Sequence, residues 1–371
     1  MGHAELPFQY LFYLSNDHGA AHGESCHVYP GPQAPKWAAL ASAFAIESVL
    51  EIGSGLGYQA VCIADAAAGC RVATIENNSD HADLAAAREE ALAAARQAEV
   101  DMGRGETDGP LFGVPMGVKD QFWTKGILTT NGSRIYSDFV PDEDATVITR
   151  IKDAGAILLG KLNLAELAMG GTQRPPYGTA RNPWDLERTP GESSSGSGVA
   201  LSANLCGASL GEDTGGSGRG PGAYCGVVGL RPTFTRVSRY RVTHLCWYMD
   251  ATAPMTKTVE DCALVLGAVA GYDPKDHHTS VRPVPDYTAH LRDGIRGLRI
   301  GLIRELQDSE DINPDIKLAT EKSMKVLGEL GAQVQEVSIP IIPLAGAVFV
   351  AIADCEGSGA KDEILRTRPM D

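Results

Sequence analysis

Short apolar strands alternate with helical segments along most of this chain, and that alternation limits the fold more than any other feature. Strand patterns lie at 49–52, 72–75, 157–159, 298–303 and 334–339, and helical patterns lie at 83–103, 144–154, 258–270 and 314–330. Strands that take turns with helices predict an α/β fold class. No internal repeat is visible in the sequence.

Charge and cysteine spacing narrow the function classes. The 371 residues suffice for two domains, and 32 Lys and Arg against 47 Asp and Glu leave a net charge of −15, which argues against nucleic acid as a partner. The eight cysteines form no CxxC pair, which suits reduced thiols in a cytoplasmic protein. The longest apolar stretch, 339–353, is too short to span a bilayer. We therefore expect a cytoplasmic protein with no membrane segment.

Glycine and serine are concentrated between residues 178 and 229. Two Ser-rich turns in this block, GESSSGSG at 191–198 and DTGGSGR at 213–219, bracket an apolar segment. Flexible linkers rarely bracket a packed segment, and the block lacks the GxxxxGK[ST] pattern of a phosphate loop. A linker, a phosphate loop and a nucleophilic site all stay open at this point.

A serine nucleophile here would need an unusual base. A serine hydroxyl attacks well only when a neighbouring group takes its proton, and histidine is the commonest such group. No histidine lies between His81 and His244. Arg219 stands two residues after Ser217, where a nucleophile elbow has glycine. Lysine is therefore the remaining candidate for the base.

Lys119 is the best-placed lysine, because it ends an apolar strand flanked by small residues. Burial there would lower its pKa and make it a base. An ion pair with a neighbouring acid such as Asp120 is the alternative. The glycines within 214–217 offer backbone N–H groups for an oxyanion hole, or they form a simple tight turn.

Several motifs in a fixed order resemble the amidase signature family. They are GPLFGVPMGVKD at 109–120, TTNGS at 129–133, GKLNLAELAMGG at 160–171, ARNPWD at 180–185, the two Ser-rich turns, GVVGLRPT at 226–233 and APMTKTVEDCALVL at 253–266. The resemblance covers about residues 86 to 371. It implies a mixed sheet surrounded by helices, and a hydrolase that cleaves a carboxamide C–N bond through a seryl acyl-enzyme.

The resemblance also implies roles for individual residues. Ser217 is the expected nucleophile, Ser193 the cis-serine relay and Lys119 the base that takes a proton through Ser193. Supporting roles, in the oxyanion hole or in holding the two turns, are implied for Thr214, Gly215, Gly216, Ser194 and Arg219. The expected substrate is a small-molecule amide, with no cofactor and no metal, and a homodimer stays open.

Five positions depart from the pattern of the family. Glu192 and Ser195 each replace a glycine beside the serine pair, and Ala253 replaces another glycine. Glu212 stands where the family favours a small Thr or Ser, and Gly218 where it favours a branched apolar residue. A carboxylate at 192 or 212 close to the lysine base would raise the pKa of that base and weaken it.

The N-terminal segment resembles a different family. VLEIGSGLGYQA at 49–60 is similar to the cofactor motif of class I S-adenosylmethionine-dependent O-methyltransferases, read as a partial Rossmann-like strand–helix–strand unit. The resemblance implies cofactor contacts by Glu51, Gly53, Gly55, Gly57 and Glu76. Because the pattern stops at the second strand, we expect this half-site to be vestigial.

Two segments are therefore expected: a methyltransferase-like one at 1–84 and an amidase signature domain at 85–371 that stops where the family core normally continues. Alternatives to a hydrolase stay open. They are an amidotransferase A-subunit, which would need partner subunits and a tRNA-bound substrate, a catalytically impaired fusion remnant, and a methyltransferase.

Overall fold

The computed structural model describes residues 11–14, 48–55, 58–65, 82–169, 176–310 and 312–367. The chain forms two compact units. The first comprises the residues up to Pro285 and those from Ala360 onward, and the second comprises Asp286–Gly359.

The described strands of the first unit are β1 (Leu11–Leu14), β2 (Ser48–Gly55), β3 (Tyr58–Asp65), β4 (Pro115–Lys119), β5 (Ile157–Leu162), β6 (Ala208–Glu212), β7 (Val228–Gly229) and β8 (Thr252–Thr256). Its helices are α1 (Ala82–Arg104), α2 (Thr146–Asp153), α3 (Ser195–Ser202), α4 (Arg219–Cys225) and α5 (Val259–Val269). The second unit contributes β9 (Arg299–Ile303), α6 (Arg304–Gln307), α7 (Pro314–Glu329) and β10 (Gln333–Val337), and α8 (Ala345–Thr367) begins within it.

A mixed five-stranded sheet in the order β5-β4-β6-β8-β7 organises the first unit. β4 runs parallel to β5 and β6, whereas β8 runs antiparallel to β6 and β7. Every residue of β4, β6 and β8 is buried. The fully buried side chains of Met116, Leu210 and Met255 show why these apolar runs form the centre of the sheet. The expected α/β class with a mixed sheet is confirmed.

Helix α3 fills the space against this sheet. Its residues Ala200 and Leu201, with Leu205 just beyond it, form a buried cluster with Met255 of β8. This packed segment lies between the two Ser-rich turns, so the linker interpretation of those turns is wrong. Helix α5 begins where the sequence predicts, because the Thr258 side chain accepts a hydrogen bond from the Asp261 amide.

The second unit is a small parallel β–α–β arrangement. β9 and β10 pair in parallel from Arg299 opposite Gln333 to Ile303 opposite Val337. Helix α7 begins with Pro314 after an Asn313 cap, which matches the sequence signal for a helix start. None of the residues of α7 is buried.

The N-terminal strands differ from the sequence prediction. The run after the glycines was expected to be helical, but β3 is a strand that pairs antiparallel with β2 from Gly55 opposite Tyr58 onward. Its aromatic and β-branched residues, among them Val61 and Ile63, favour the extended conformation. The expected strand–helix–strand unit is therefore wrong at its helix.

The cofactor-binding residues predicted for the methyltransferase-like segment fall into two groups. Glu51, Gly53 and Gly55 all lie on β2, so the glycines extend a strand. Gly57, Glu76 and the strand expected at 72–75 lie outside the described residues.

One stretch among the described residues has the length and composition of a membrane-spanning helix. It covers Ile342–Asp362 and extends beyond the apolar run noted in the sequence. One such helix is weak evidence for a membrane segment, and 11% of its most apolar window is buried. The absence of a membrane segment stays a prediction.

Candidate active site

Lys119 reaches the site from the C-terminal end of β4. Its side chain is completely buried, and its Nζ lies 2.7 Å from Ser193 Oγ. Burial lowers the pKa of Lys119, and the nearby charge of Glu212 opposes that shift. Asp120, the acid suggested as an ion-pair partner, pairs instead with Lys161 at 3.6 Å.

The first Ser-rich turn enters helix α3. The peptide bond between Glu192 and Ser193 is cis, as the term cis-serine implies. Ser194 connects this turn to two other parts of the site: its hydroxyl donates to the Glu212 carbonyl at 3.0 Å, and its amide donates to the Ser217 carbonyl at 3.1 Å. Both Ser193 and Ser194 are buried, whereas Glu192 is exposed.

The second Ser-rich turn is held by a residue that the sequence pattern did not single out. The carboxylate of Asp213 accepts hydrogen bonds from the amides of Gly216 at 2.8 Å, Gly218 at 3.2 Å and Arg219 at 3.1 Å. The Arg219 side chain adds two bonds, at 2.9 and 3.0 Å. Arg231 Nη1 lies 3.5 Å from the same carboxylate.

Charge also stabilises this turn. Burial would raise the pKa of Asp213, but the hydrogen bonds from Arg219 outweigh it and lower that pKa. Asp213 is therefore an anion that caps the nucleophile turn. Because the Gly216 amide donates to it, the predicted oxyanion hole depends on the other amides of 214–217. Ser217 itself is half-buried, and Gly215 is exposed.

Glu212 brings a carboxyl group into the site, at the end of β6. Its Oε2 lies 3.4 Å from Lys119 Nζ, and both side chains are buried. Its Oε1 lies 2.8 Å from Thr214 Oγ1, which is 2.8 Å from Asp250 Oδ1. Burial raises the pKa of Glu212 to about 7, the Asp250 charge adds to the increase, and Lys119 opposes it.

Two further departures from the family pattern lie close together. A Cβ atom added to Gly218 would lie 2.6 Å from the Cβ atom of Ala253, closer than real Cβ atoms approach. The branched residue expected at 218 is therefore excluded by the methyl group at 253.

The structure thus brings Lys119 and Ser193 together and links Ser194 to the turn that carries Ser217. Asp213 could have been noticed in the sequence, since it begins the second Ser-rich turn. Asp250 lies in none of the amidase-like motifs, and its contact with Thr214 connects it to the site.

Comparison with known proteins decides the family. A model of the family described as amidase matches residues 68–368. The chain belongs to the amidase family. This confirms the resemblance noted in its motifs, while the methyltransferase resemblance of residues 1–84 gains no support.

Relatives within the amidase family include amidotransferase subunits. The chain is 45% identical over 289 residues to a protein named as the A-subunit of glutamyl-tRNA(Gln) amidotransferase from Desulfatibacillum aliphaticivorans, covering 78% of this chain and 59% of the relative. A solved structure of the protein of that name from Thermotoga maritima shares 36% identity at a TM-score of 0.66, covering 77% of this chain and 64% of the other.

Other amidases share the fold. The native peptide amidase of Stenotrophomonas maltophilia is 33% identical at a TM-score of 0.66, covering 75% of this chain and 58% of that enzyme. The chain therefore spans less than two thirds of the length of each of these three relatives.

Proposed function

We propose that this chain carries an amide-cleaving centre in which Ser217 is the nucleophile, Ser193 the proton relay and Lys119 the base. The 2.7 Å contact between Lys119 Nζ and Ser193 Oγ, inside a buried site, carries this proposal. The nucleophile Ser217 has no histidine to take its proton, so it needs another proton acceptor. Lys119, in contact with the relay Ser193, can be that acceptor.

Within this chemistry we propose an amidotransferase A-subunit, which releases ammonia from a primary carboxamide for use by partner subunits. The identity to two proteins of that name, at 45% and 36%, supports it. Glutamine is the first donor to test. The partners and the acceptor belong to the whole assembly and are proposed on the same similarity.

Acylation moves one proton along the three side chains. Ser217 Oγ attacks the carbonyl carbon while its proton passes to Ser193 Oγ, and the proton of Ser193 passes to Lys119 Nζ. Backbone amides of 214–217 other than that of Gly216 stabilise the negative oxygen of the tetrahedral intermediate. When the C–N bond breaks, Lys119 returns the proton through Ser193 to the departing nitrogen.

Deacylation repeats these transfers with water. Water attacks the ester carbonyl, its proton reaches Lys119 through the relay, and Ser217 recovers a proton as the carboxylic acid leaves. The rate should fall as the pH drops, because a protonated Lys119 cannot accept the proton of Ser193.

Ammonia release from glutamine by the full chain tests the proposed centre. We expect Ser217→Ala to abolish turnover and Lys119→Ala nearly to do so, while Ser193→Ala costs about 10²–10⁴-fold. Ser195→Ala is the matched control, because it removes a neighbouring hydroxyl outside the relay. An undiminished rate in Ser217→Ala would falsify the nucleophile assignment.

A free-standing amide hydrolase is the second candidate, supported by the similarity to peptide amidase. A panel of peptide and simple carboxamides separates the two. An amidotransferase A-subunit should release more ammonia from glutamine when the other amidotransferase subunits of the host are added, whereas a free hydrolase should turn over its amide equally well alone. The cytoplasmic location and the homodimer stay predictions.

A further inference from the structure

The hydroxyl of Thr214 lies between two carboxyl groups. Its Oγ1 is 2.8 Å from Glu212 Oε1 and 2.8 Å from Asp250 Oδ1. A threonine hydroxyl has one hydrogen and can donate to only one of them. Both contacts are hydrogen bonds only if the other carboxyl group carries a proton and donates to Thr214 Oγ1.

Hydrogen bonds identify Asp250 as the ionised partner. Its two oxygens accept from the amides of Leu245 and Cys246, each at 2.9 Å, and His244 Nδ1 lies 3.2 Å from Oδ2. Three donors, two amides and a hydroxyl, point at this carboxyl group, and such a set of donors stabilises the ionised form. Thr214 therefore donates to Asp250, and the proton of the other bond must come from Glu212.

The distances around Lys119 agree with an uncharged Glu212. Lys119 Nζ approaches Ser193 Oγ to 2.7 Å but stays 3.4 Å from Glu212 Oε2, longer than a charge-assisted bond. A completely buried ion pair with one long contact would not recover the cost of removing both charges from water. A neutral amine beside a neutral acid avoids that cost.

Titratable groups face Glu212 from several elements. They are Lys119 at the end of β4, Asp250 before β8 with His244 beyond it, Asp213 on the same turn, and Lys361 of α8, whose Nζ donates to the His244 carbonyl at 2.9 Å. The negative charge of Asp213 is balanced by the positive charges of Arg219 and Arg231.

We propose that Glu212 is a positioning residue: it carries a proton, donates it to the Thr214 hydroxyl and presents Lys119 with an uncharged neighbour. The raised pKa of Glu212, about 7, keeps most of the acid protonated below neutral pH. Above that pH the carboxyl group ionises, and its charge favours the protonated form of Lys119.

The consequence for catalysis rests on the proposed function. While Glu212 is neutral, Lys119 is a free amine and can accept the Ser193 proton directly. Beside an ionised Glu212, Lys119 would hold a proton of its own and would have to lose it first. The proton on Glu212 does not move during turnover. It enters no bond to substrate, and the transfers along Ser217, Ser193 and Lys119 balance as before.

The protonated carboxyl group is measurable without any turnover. We expect the infrared spectrum of the full chain, below neutral pH, to contain a carboxylic acid C=O band that disappears in Glu212→Gln. Glu212→Thr introduces a small residue of the kind that the family favours, and it should lose the same band. This second variant keeps the test valid if Glu212→Gln fails to fold. If neither variant removes such a band, Glu212 is an anion and the proposal is wrong.

The pH profile of ammonia release gives the second test. Below neutral pH, where Glu212 carries its proton, Lys119 faces an uncharged neighbour in Glu212→Gln as in the wild type. We therefore expect the acidic limb of kcat/KM to coincide for the two proteins in that pH range. Had Glu212 been an anion, its removal would lower the pKa of Lys119 and move that limb to lower pH by about one unit or more, which would overturn the proposal. If the wild type turns over no amide, the proposed function fails and the infrared bands alone decide the state of Glu212.

Discussion

At the residue scale, burial separates side chains of the same chemical type. Four of the described cysteines, Cys206, Cys225, Cys246 and Cys262, are buried, and Cys355 is exposed. Burial raises the pKa of Cys206 to about 12 and that of Cys262 to about 11. A thiol that stays protonated and inaccessible does not react as a nucleophile.

Alkylation with iodoacetamide should therefore be selective. In the native protein we expect Cys355 to be modified rapidly, and Cys206 and Cys262 to remain unmodified until denaturant is added. Site-resolved mass spectrometry of the digested protein measures each position separately. Fast native modification of Cys206 would show that its surroundings open far more readily than its complete burial indicates.

The sequence predicts part of the candidate active site at the scale of single residues. The order of the motifs predicted Lys119, Ser193 and Ser217; the structure brings Lys119 and Ser193 into contact, and the catalytic role of all three stays a prediction. Glu212 was noticed as a departure, but its contact with Lys119 depends on the register between β4 and β6. Asp250 could not be predicted, since the antiparallel pairing of β8 with β6 is what brings its segment to Thr214.

At the element scale, one buried carboxylate determines the shape of the nucleophile turn. Asp213 accepts from three backbone amides and pairs with two arginines, so its removal would leave several donors without an acceptor. Such a loss costs far more than an exposed ion pair of the same chemistry.

We expect Asp213→Ala to lower the free energy of unfolding by about 1–3 kcal/mol, because backbone amides of the turn lose their acceptor. Arg188→Ala is the control, because its pair with Asp185 is exposed on both sides and should change stability by less than about 1 kcal/mol. Urea denaturation followed by circular dichroism compares the variants. Equal midpoints for the two would mean that the turn is held by something other than Asp213.

Two helical glycines offer a matched test of packing. A Cβ atom on Gly196 of α3 would lie 2.5 Å from the backbone nitrogen of Asn163, whereas one on Gly267 of α5 meets nothing within 4 Å. Gly267→Ala should raise stability by about 0.5–1 kcal/mol through helix propensity, and Gly196→Ala should lower it by about 1–3 kcal/mol. Thermal unfolding of both variants beside the wild type measures these changes, and the same sign for both would contradict the packing described for α3.

Element prediction from sequence failed where two signals competed. Glycines followed by a mixed apolar run suggested a turn and a helix, yet the residues of β3 pair with β2 as a hairpin. A local pattern alone does not specify which neighbour a strand finds. By contrast, capped and periodic helices such as α5 and α7 matched their predicted bounds closely.

At the scale of the whole molecule, the two units differ in how much of each is buried. The central strands of the first unit are buried along their full length, whereas the positions of β9 and β10 are exposed or half-buried. Local opening of a strand requires less free energy where few apolar side chains are buried in the folded state.

Hydrogen exchange should reveal this difference directly. We expect the amides of β9 and β10 to exchange with deuterium well before those of β4 and β6, although all four strands are hydrogen-bonded. Peptide-resolved mass spectrometry at a series of exchange times measures the order. Simultaneous exchange of all four strands would show instead that the whole chain opens as a single cooperative unit.

The lack of space for a side chain at Gly218, beside Ala253, imposes an order on evolutionary change at these positions. A lineage with this pair can acquire a branched residue at 218 only after position 253 has lost its methyl group, because the reverse order passes through a clash at 2.6 Å. The same mutation at 218 is therefore harmful in one genetic background and acceptable in the other. A mutagenesis library at codon 218 should yield folded branched variants when it is built on Ala253→Gly, and few when it is built on the present sequence.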